Sequence, residues 1–299
     1  MKKILTIFLF TLISYVLFAQ GDPLWLRYPS ISPDGSTIVF SYQGDLYTVP
    51  ASGGEASILT IHEAYDYRPV WSPDGEYIAF ASNRYGNFDV YRIPVSGGKA
   101  QRITKNSSNE YPNCFTAEGK SILYSATIQD DPDNVQFPSG ILSELYEVPV
   151  EGGRSSRILS TPAELAQISK DGNRILYQDR KGYENAWRKH HTSSVTRDVW
   201  IYDSSTGEHT RLSMFEGEDR NPVFGPGDEE VFYLSEGSGD INVWKMPIGG
   251  ASNPEQVTSF VNHPVRFLSI AADGTLCFGF DGEIYTKKPG AEPEKVGIS

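Results

Sequence analysis

Three observations predict an all-β chain folded as a six-bladed propeller with four-stranded blades. First, a tight turn recurs at Asp34-Gly35, Asp74-Gly75, Glu118-Gly119, Asp171-Gly172, Gly227-Asp228 and Asp273-Gly274, and a short apolar strand follows each: TIVF, YIAF, SILY, RILY, EVFY and TLCF. Second, a further strand comes next in every copy: DLY at Asp45, DVY at Asp89, ELY at Glu144, DVW at Asp198, NVW at Asn242 and EIY at Glu283. Third, a glycine turn such as Gly53-Gly54 or Gly97-Gly98 leads into a short polar strand such as KAQRIT. The spacing is 40 residues from Asp34 to Asp74 and reaches 56 from Asp171 to Gly227. Repeats of roughly this length with four strands each are propeller blades.

The chain divides as follows. Residues 1–20 read as a secretory signal peptide, with Lys2 and Lys3 ahead of an apolar run from Ile4 to Phe18. That run is shorter than the ~20 residues of a membrane span. Leu17 stands where a small residue is preferred before cleavage. Residues 21–299 form the propeller, with blades near 27–62, 66–106, 110–161, 164–215, 220–260 and 265–299. Blade six should end with a strand from about Glu294 to Ile298. A stop at a blade boundary is expected of a domain edge inside a longer protein.

Strand patterning supports the ring. In TIVFS, Ile38 and Phe40 face one side and Val39 the other, so both faces are covered, as in a blade between two neighbours. The Asp-Gly turns supply the φ > 0 that tight hairpins need. Pro29, Pro69, Pro112 and Pro222 are expected at the start of each inner strand, where no ladder donor is required. Cys114 and Cys277 fall on blades that face each other across the channel, so both thiols are expected to be free and buried.

The net charge of −12 argues against nucleic acid and against a membrane partner beyond the leader, since phosphate binding needs an excess of Lys and Arg. It suits peptide or cationic ligands. No G-x-S-x-G elbow is present. His190, His191, Ser193 and Asp198 carry triad chemistry, but neighbours on an extended strand point opposite ways and do not converge. The five His are scattered, and Asp130-Asp131-Pro132-Asp133 lacks the glycine and bidentate Glu of a calcium loop. No metal or cofactor is expected, and Asn106-Ser107-Ser108 reads as a turn.

The phrases ISPDGSTIVFSYQGDLYTVPASGG and WSPDGEYIAFASNRYGNFDVYRIPVSGG resemble the WD40-like (PD40), TolB-type propeller repeat over nearly the whole mature chain. The segments GDPLWLRYPSISPDG, HEAYDYRPVWSPDG, DRKGYENAWRKHHTSSVTRDVW and FEGEDRNPVF further resemble the N-terminal propeller of tricorn-type S41 serine peptidases. The resemblance implies a noncatalytic, six-bladed TolB-like domain that directs or gates peptides and scaffolds assembly in an exported peptidase. It implies downstream peptidase domains or other subunits as partners, with homo-oligomers formed through the parent protein. The family's catalytic Ser and His lie in C-terminal parts absent here, so no catalytic residue carries over. The alternative is a stand-alone TolB-like periplasmic binding protein. A channel enzyme is a third class, disfavoured by the scattered His.

Binding is expected at the channel mouth, through loops entering the innermost strands. These loops carry Tyr67 and Arg68 in blade two, Tyr111 in blade three, Arg220 in blade five, and His263 and Arg266 in blade six. The bland alternative is that Arg and Asp pair between neighbouring blades. Two long insertions, Gln129 to Ser143 and Lys181 to Arg197, are further candidates. The second holds Trp187, Arg188, Lys189, His190 and His191, a cationic-aromatic cluster expected to contact a neighbouring domain or subunit.

Overall fold

A computed structural model describes residues 23–128, 142–183, 185, 188, 190, 192–249 and 253–299. The expected leader, the Asp130–Asp133 loop, Trp187, Lys189 and His191 lie outside the described residues.

Six four-stranded sheets are each built from strands consecutive in sequence. Blade one comprises Arg27–Ile31, Thr37–Tyr42, Asp45–Pro50 and Ser57–Ile58. The innermost strands of blades two to six are Asp66–Trp71, Glu110–Phe115, Ala163–Ile168, Asp219–Phe224 and Arg266–Ile270. Their second strands are Tyr77–Ser82, Ser121–Ala126, Arg174–Asp179, Glu230–Ser235 and Leu276–Phe280. All pairings within the blades are antiparallel.

The apolar core lies between blades. Val39 and Leu46 of blade one pack with Ile78, Phe80, Tyr91 and Ile93 of blade two. Ile38 and Phe40, on the opposite face of the same strand, pack with Cys277 and Ile284 of blade six. Equivalent clusters join the remaining neighbours. This explains why the second strands are apolar on both faces: each side meets another sheet. Each fully buried Ile or Phe contributes about 1.5–3 kcal/mol to holding the ring. Side chains stitch the seams as well, including Trp71 Nε1 to the Ser30 carbonyl at 2.8 Å and Ser125 Oγ to the Ala163 carbonyl at 2.8 Å.

Three of the hairpin turns share one chemistry. Ser32, Ser72 and Ser169 hydroxyls donate to Asp34, Asp74 and Asp171, and the same carboxylates accept the backbone N–H two residues on. Gly35, Gly75 and Gly172 follow at φ 74°, 73° and 75°. Blade five departs from this, with a single 3-10 turn at Pro226–Asp228.

Two expectations need correction. Pro29, Pro69, Pro112 and Pro222 sit inside the innermost strands, not at their starts. Proline is tolerated there because the ladder is interrupted: register shifts fall between Arg27 and Ser30, Tyr67 and Val70, and Arg220 and Val223. At the far end, regular pairing of the outermost strand of blade six covers only Glu294–Lys295. The tail then crosses to blade one, where Ile298 bridges Gly54 in parallel. Gly54 N–H donates to the Gly297 carbonyl at 2.8 Å, and Ser299 N–H returns to the Gly54 carbonyl at 3.1 Å. A Cβ on Gly53 would stand 2.7 Å from the Gly297 oxygen, so glycine is required at this crossing.

Candidate binding site at the tunnel mouth

A bulge in the innermost strand builds the site. In five blades one residue of that strand takes the left-handed conformation: Tyr28 (φ 52°), Arg68 (53°), Leu165 (48°), Asn221 (49°) and Phe267 (59°). At each of these places the strand gains a residue over its partner. A bulge re-aims the side chain it carries. All five line one central cavity of about 550 Å³. In blade three the extra residue is Asn113, which also lines the cavity and whose side chain donates to Ser125 Oγ at 2.6 Å. Of the residues expected in loops entering the strands, Tyr67, Arg68, Tyr111, Arg220 and Arg266 therefore lie within the strands, and only His263 precedes its strand.

One side of the mouth is aromatic. Tyr67 meets Tyr28 edge-on at 5.3 Å between ring centroids, Tyr65 at 5.3 Å, Phe88 at 4.9 Å and Tyr111 at 6.1 Å. Tyr28 continues to Phe267 at 4.3 Å. The arc thus runs from blade six through blades one and two to blade three. Arg68 lies over Tyr111 at 4.6 Å and Tyr67 at 5.6 Å, which is cation–π geometry. Burial pushes the Tyr67 phenol pKa up, so it remains a neutral hydroxyl.

The other side is ionic. Glu164 accepts from Arg180 at 2.6 Å and from Gln178 at 3.2 Å. Burial would raise the Glu164 pKa, but Arg180 and Arg68 outweigh it and hold the carboxyl below its ordinary range. Glu218 takes Arg197 at 2.6 Å and stands 3.8 Å from Arg220. Burial lowers the Arg220 pKa, Glu218 opposes that fall, and Arg197 adds to it. Burial, then the Arg220 charge, brings Arg266 down to about 10. Asn221 ties the blades behind this arc: its N–H donates to Gln178 at 2.9 Å, and its amide exchanges two 3.0 Å bonds with the Leu268 backbone.

Five of the candidate residues thus meet at the mouth: Tyr67, Arg68, Tyr111, Arg220 and Arg266. His263 is exposed, 3.5 Å from Asp281, and lines a second hollow of about 370 Å³ with Trp25 and Phe280, which Arg266 and Phe267 also border. Arg188 and His190 belong to the blade-four insertion. His190 N–H donates to the buried Glu236 beside blade five. The Arg–Asp pairing considered between blades takes another form: Asp66 binds Arg84 within its own blade at 2.7 Å. Sequence reasoning missed Tyr28, Glu164, Arg197 and Phe267. Aligning the repeats on the inner strand would have placed Tyr28, Asn221 and Phe267 level with Arg68. Among the described residues, no group of three or more His, Cys, Asp or Glu side chains is placed to hold a metal ion.

Cys114 and Cys277 are free. Cys277 is buried, but Cys114 is only half-buried, because it faces the central cavity.

Fold and mouth together define a single-ring propeller with an open, chemically two-sided tunnel. Residues 23–292 match the family model of the tricorn protease N-terminal β-propeller domain, and the chain belongs to that family. It is 27% identical over 280 residues to tricorn protease homolog 1 of Streptomyces coelicolor, covering 92% of this chain and 25% of that protein. The chain therefore spans about a quarter of the length of this relative. The crystal structure of the tricorn protease superimposes with a TM-score of 0.75 at 21% identity, over 91% of this chain and 26% of that one. A putative TolB from Agrobacterium tumefaciens follows with a TM-score of 0.64 at 19% identity, over 87% and 84% of the two chains. These structural likenesses concern the fold.

Proposed function

We propose that this propeller is the noncatalytic, substrate-directing domain of an exported, tricorn-like serine peptidase, and that it also scaffolds assembly with the catalytic parts. The observation that carries this reading is the two-sided mouth: Tyr28 and Phe267 of the aromatic arc line one cavity together with Arg68, Arg197, Arg220 and Arg266. Tyr and Arg are the residues favoured at binding hot spots. An extended peptide offers apolar side chains to the rings and carbonyl or carboxylate oxygens to the guanidinium groups. Export rests on the leader-like start, and the peptidase on the family.

The first test is the intact mass of the native protein, detected with an antibody to this propeller. A product about four times this chain's mass, in proportion to the 25% coverage, supports attachment to a peptidase. A product of this chain's own mass favours the free-standing TolB-like reading. The second test compares cleavage of an unfolded protein with that of a short chromogenic peptide by the whole peptidase. Tyr67→Ser combined with Tyr111→Ser should slow only the former. Equal slowing of both, or of neither, removes the directing role.

A further inference from the structure

Blade six lacks a side chain that the other five blades carry. The partners of Arg27, Tyr67, Tyr111, Glu164 and Arg220 on the second strands are Ser41, Ala81, Ser125, Gln178 and Leu234. The partner of Arg266 is Gly279. A Cβ there would stand 3.3 Å from the Phe267 ring. Gly279 borders the hollow of about 370 Å³ beside the mouth.

The outer wall of this hollow is the segment from Leu24 to Leu26, tied to the last hairpin of blade six. Leu26 N–H donates to the Gly282 carbonyl at 2.9 Å. A Cβ on Gly282 would come within 3.1 Å of the Trp25 nitrogen, so this approach needs glycine. Trp25 takes φ 70°, a left-handed conformation that is costly for a bulky residue and persists only where its surroundings impose it. Trp25 is nonetheless 70% exposed, beside Leu24 at 53%. The Arg27 guanidinium lies 5.7 Å from the indole centroid. The facing wall is aromatic and braced: Phe280 packs on Phe260 at 4.2 Å between centroids and meets His263 at 6.2 Å.

A strained backbone thus holds an uncovered tryptophan over an apolar hollow, where an incoming apolar group would gain burial. The hollow is continuous with the mouth, since Arg266 and Phe267 border both it and the central cavity. Its volume lies at the low end of the ~300–1,000 Å³ of small-ligand clefts, which suits one large side chain. Asp281, exposed at the rim 3.5 Å from His263, disfavours an acidic one.

We propose that this hollow is a specificity pocket, taking one aromatic or large aliphatic side chain of a polypeptide whose main chain lies across the mouth. The proposal rests on the reading of the mouth as a peptide-directing surface, and it adds a preferred residue to that reading.

The test is fluorescence anisotropy of the whole propeller-containing protein with short dye-labelled peptides of Gly, Ser and Asn that carry Phe, Ala or Asp at one central position. The Phe peptide should bind about tenfold or more tighter than the Ala peptide, and the Asp peptide no tighter than the Ala peptide. Trp25→Ser and, separately, Leu24→Ser should each cut that preference to about threefold or less and leave the affinity for the Ala peptide unchanged. Both side chains are exposed, so neither variant removes a core contact. Ile58→Ser, exposed on the outermost strand of blade one, should keep the preference. Equal affinity for the Phe and Ala peptides overturns the pocket and leaves the directing role standing, whereas failure of all three peptides to bind removes both. A preference for Asp, or one for Phe that survives both Trp25→Ser and Leu24→Ser, also overturns the pocket. So does loss of self-association in Trp25→Ser by sedimentation, which would make the hollow a contact between two copies of the chain.

Discussion

The aromatic and ionic sides of the mouth rest on the same bulged strand, yet they are held together by different physics. Around Tyr67 the rings touch edge to face, and each contact adds about 0.5–1.5 kcal/mol beyond burial. Such contacts tolerate small displacements. Around Glu218 and Glu164 the bonds are directional, and the charges were taken out of water to make them. Removing one ring weakens the aromatic side by degrees. Removing one carboxylate takes a close, oppositely charged partner away from a buried cation. The comparison teaches that the bulge fixes where a side chain points and leaves open what chemistry it brings.

Four experiments test this contrast, from the largest expected effect to the smallest. Glu218→Ala removes the 2.6 Å partner of the buried Arg197 and the carboxylate beside Arg220, and should cost about 3–5 kcal/mol in denaturant unfolding. A loss under about 1 kcal/mol would mean that the ionic side is as forgiving as the aromatic one. Tyr67→Leu keeps bulk but removes the edge contacts, and should cost about 1–3 kcal/mol by the same assay.

The third concerns pH, with one carboxyl on each side. Burial pushes Glu110 up to about 7, and the adjacent Asp89 adds to the rise. Burial likewise pushes Asp219 up to about 7, with Asp198 and Glu218 reinforcing it. In both, the folded pKa lies above the ordinary carboxyl value, so the folded chain binds the proton more tightly than the unfolded one. The resulting stability is present below the ordinary carboxylate range and is lost as pH rises from there through about 7. Thermal melts should accordingly fall between about pH 5 and about pH 8. Glu110→Gln and Asp219→Asn should each flatten that slope, and an unchanged slope in both would refute the assignment. The smallest effect is chemical. Burial pushes the Cys114 thiol up to about 12, yet its side chain faces the cavity. A small thiol reagent should label it slowly in the folded chain and leave Cys277 untouched, as peptide mapping would show.

Much of the ring was legible because the repeats carry their own punctuation. The turn, the apolar second strand and the third strand led by Asp, Glu or Asn recur in order, and each sheet uses strands consecutive in sequence. Alternation in TIVF already implied two covered faces, and separate clusters with blades two and six now account for it. The bulges were not legible. A period of two assumes an unbroken ladder, so Pro29 and Pro69 read as strand starts although they mark the interruption. The mouth was half visible. Tyr67, Arg68 and Tyr111 stand out by composition, whereas Glu164 acquires its place through Arg180 of its own blade and Arg197 only when blade five brings Glu218 to it.

The crossing of the tail onto Gly54 has a kinetic consequence. It joins residues 54 and 298, nearly the whole chain apart, whereas every other blade meets the one next to it in sequence. Bringing distant segments together carries the greater loop-closure entropy, so contacts of this kind form late. Folding then resembles an open spiral that becomes a circle in its final step. On this view Ile298→Ala should speed unfolding while barely slowing refolding, because the contact it weakens is absent from the transition state.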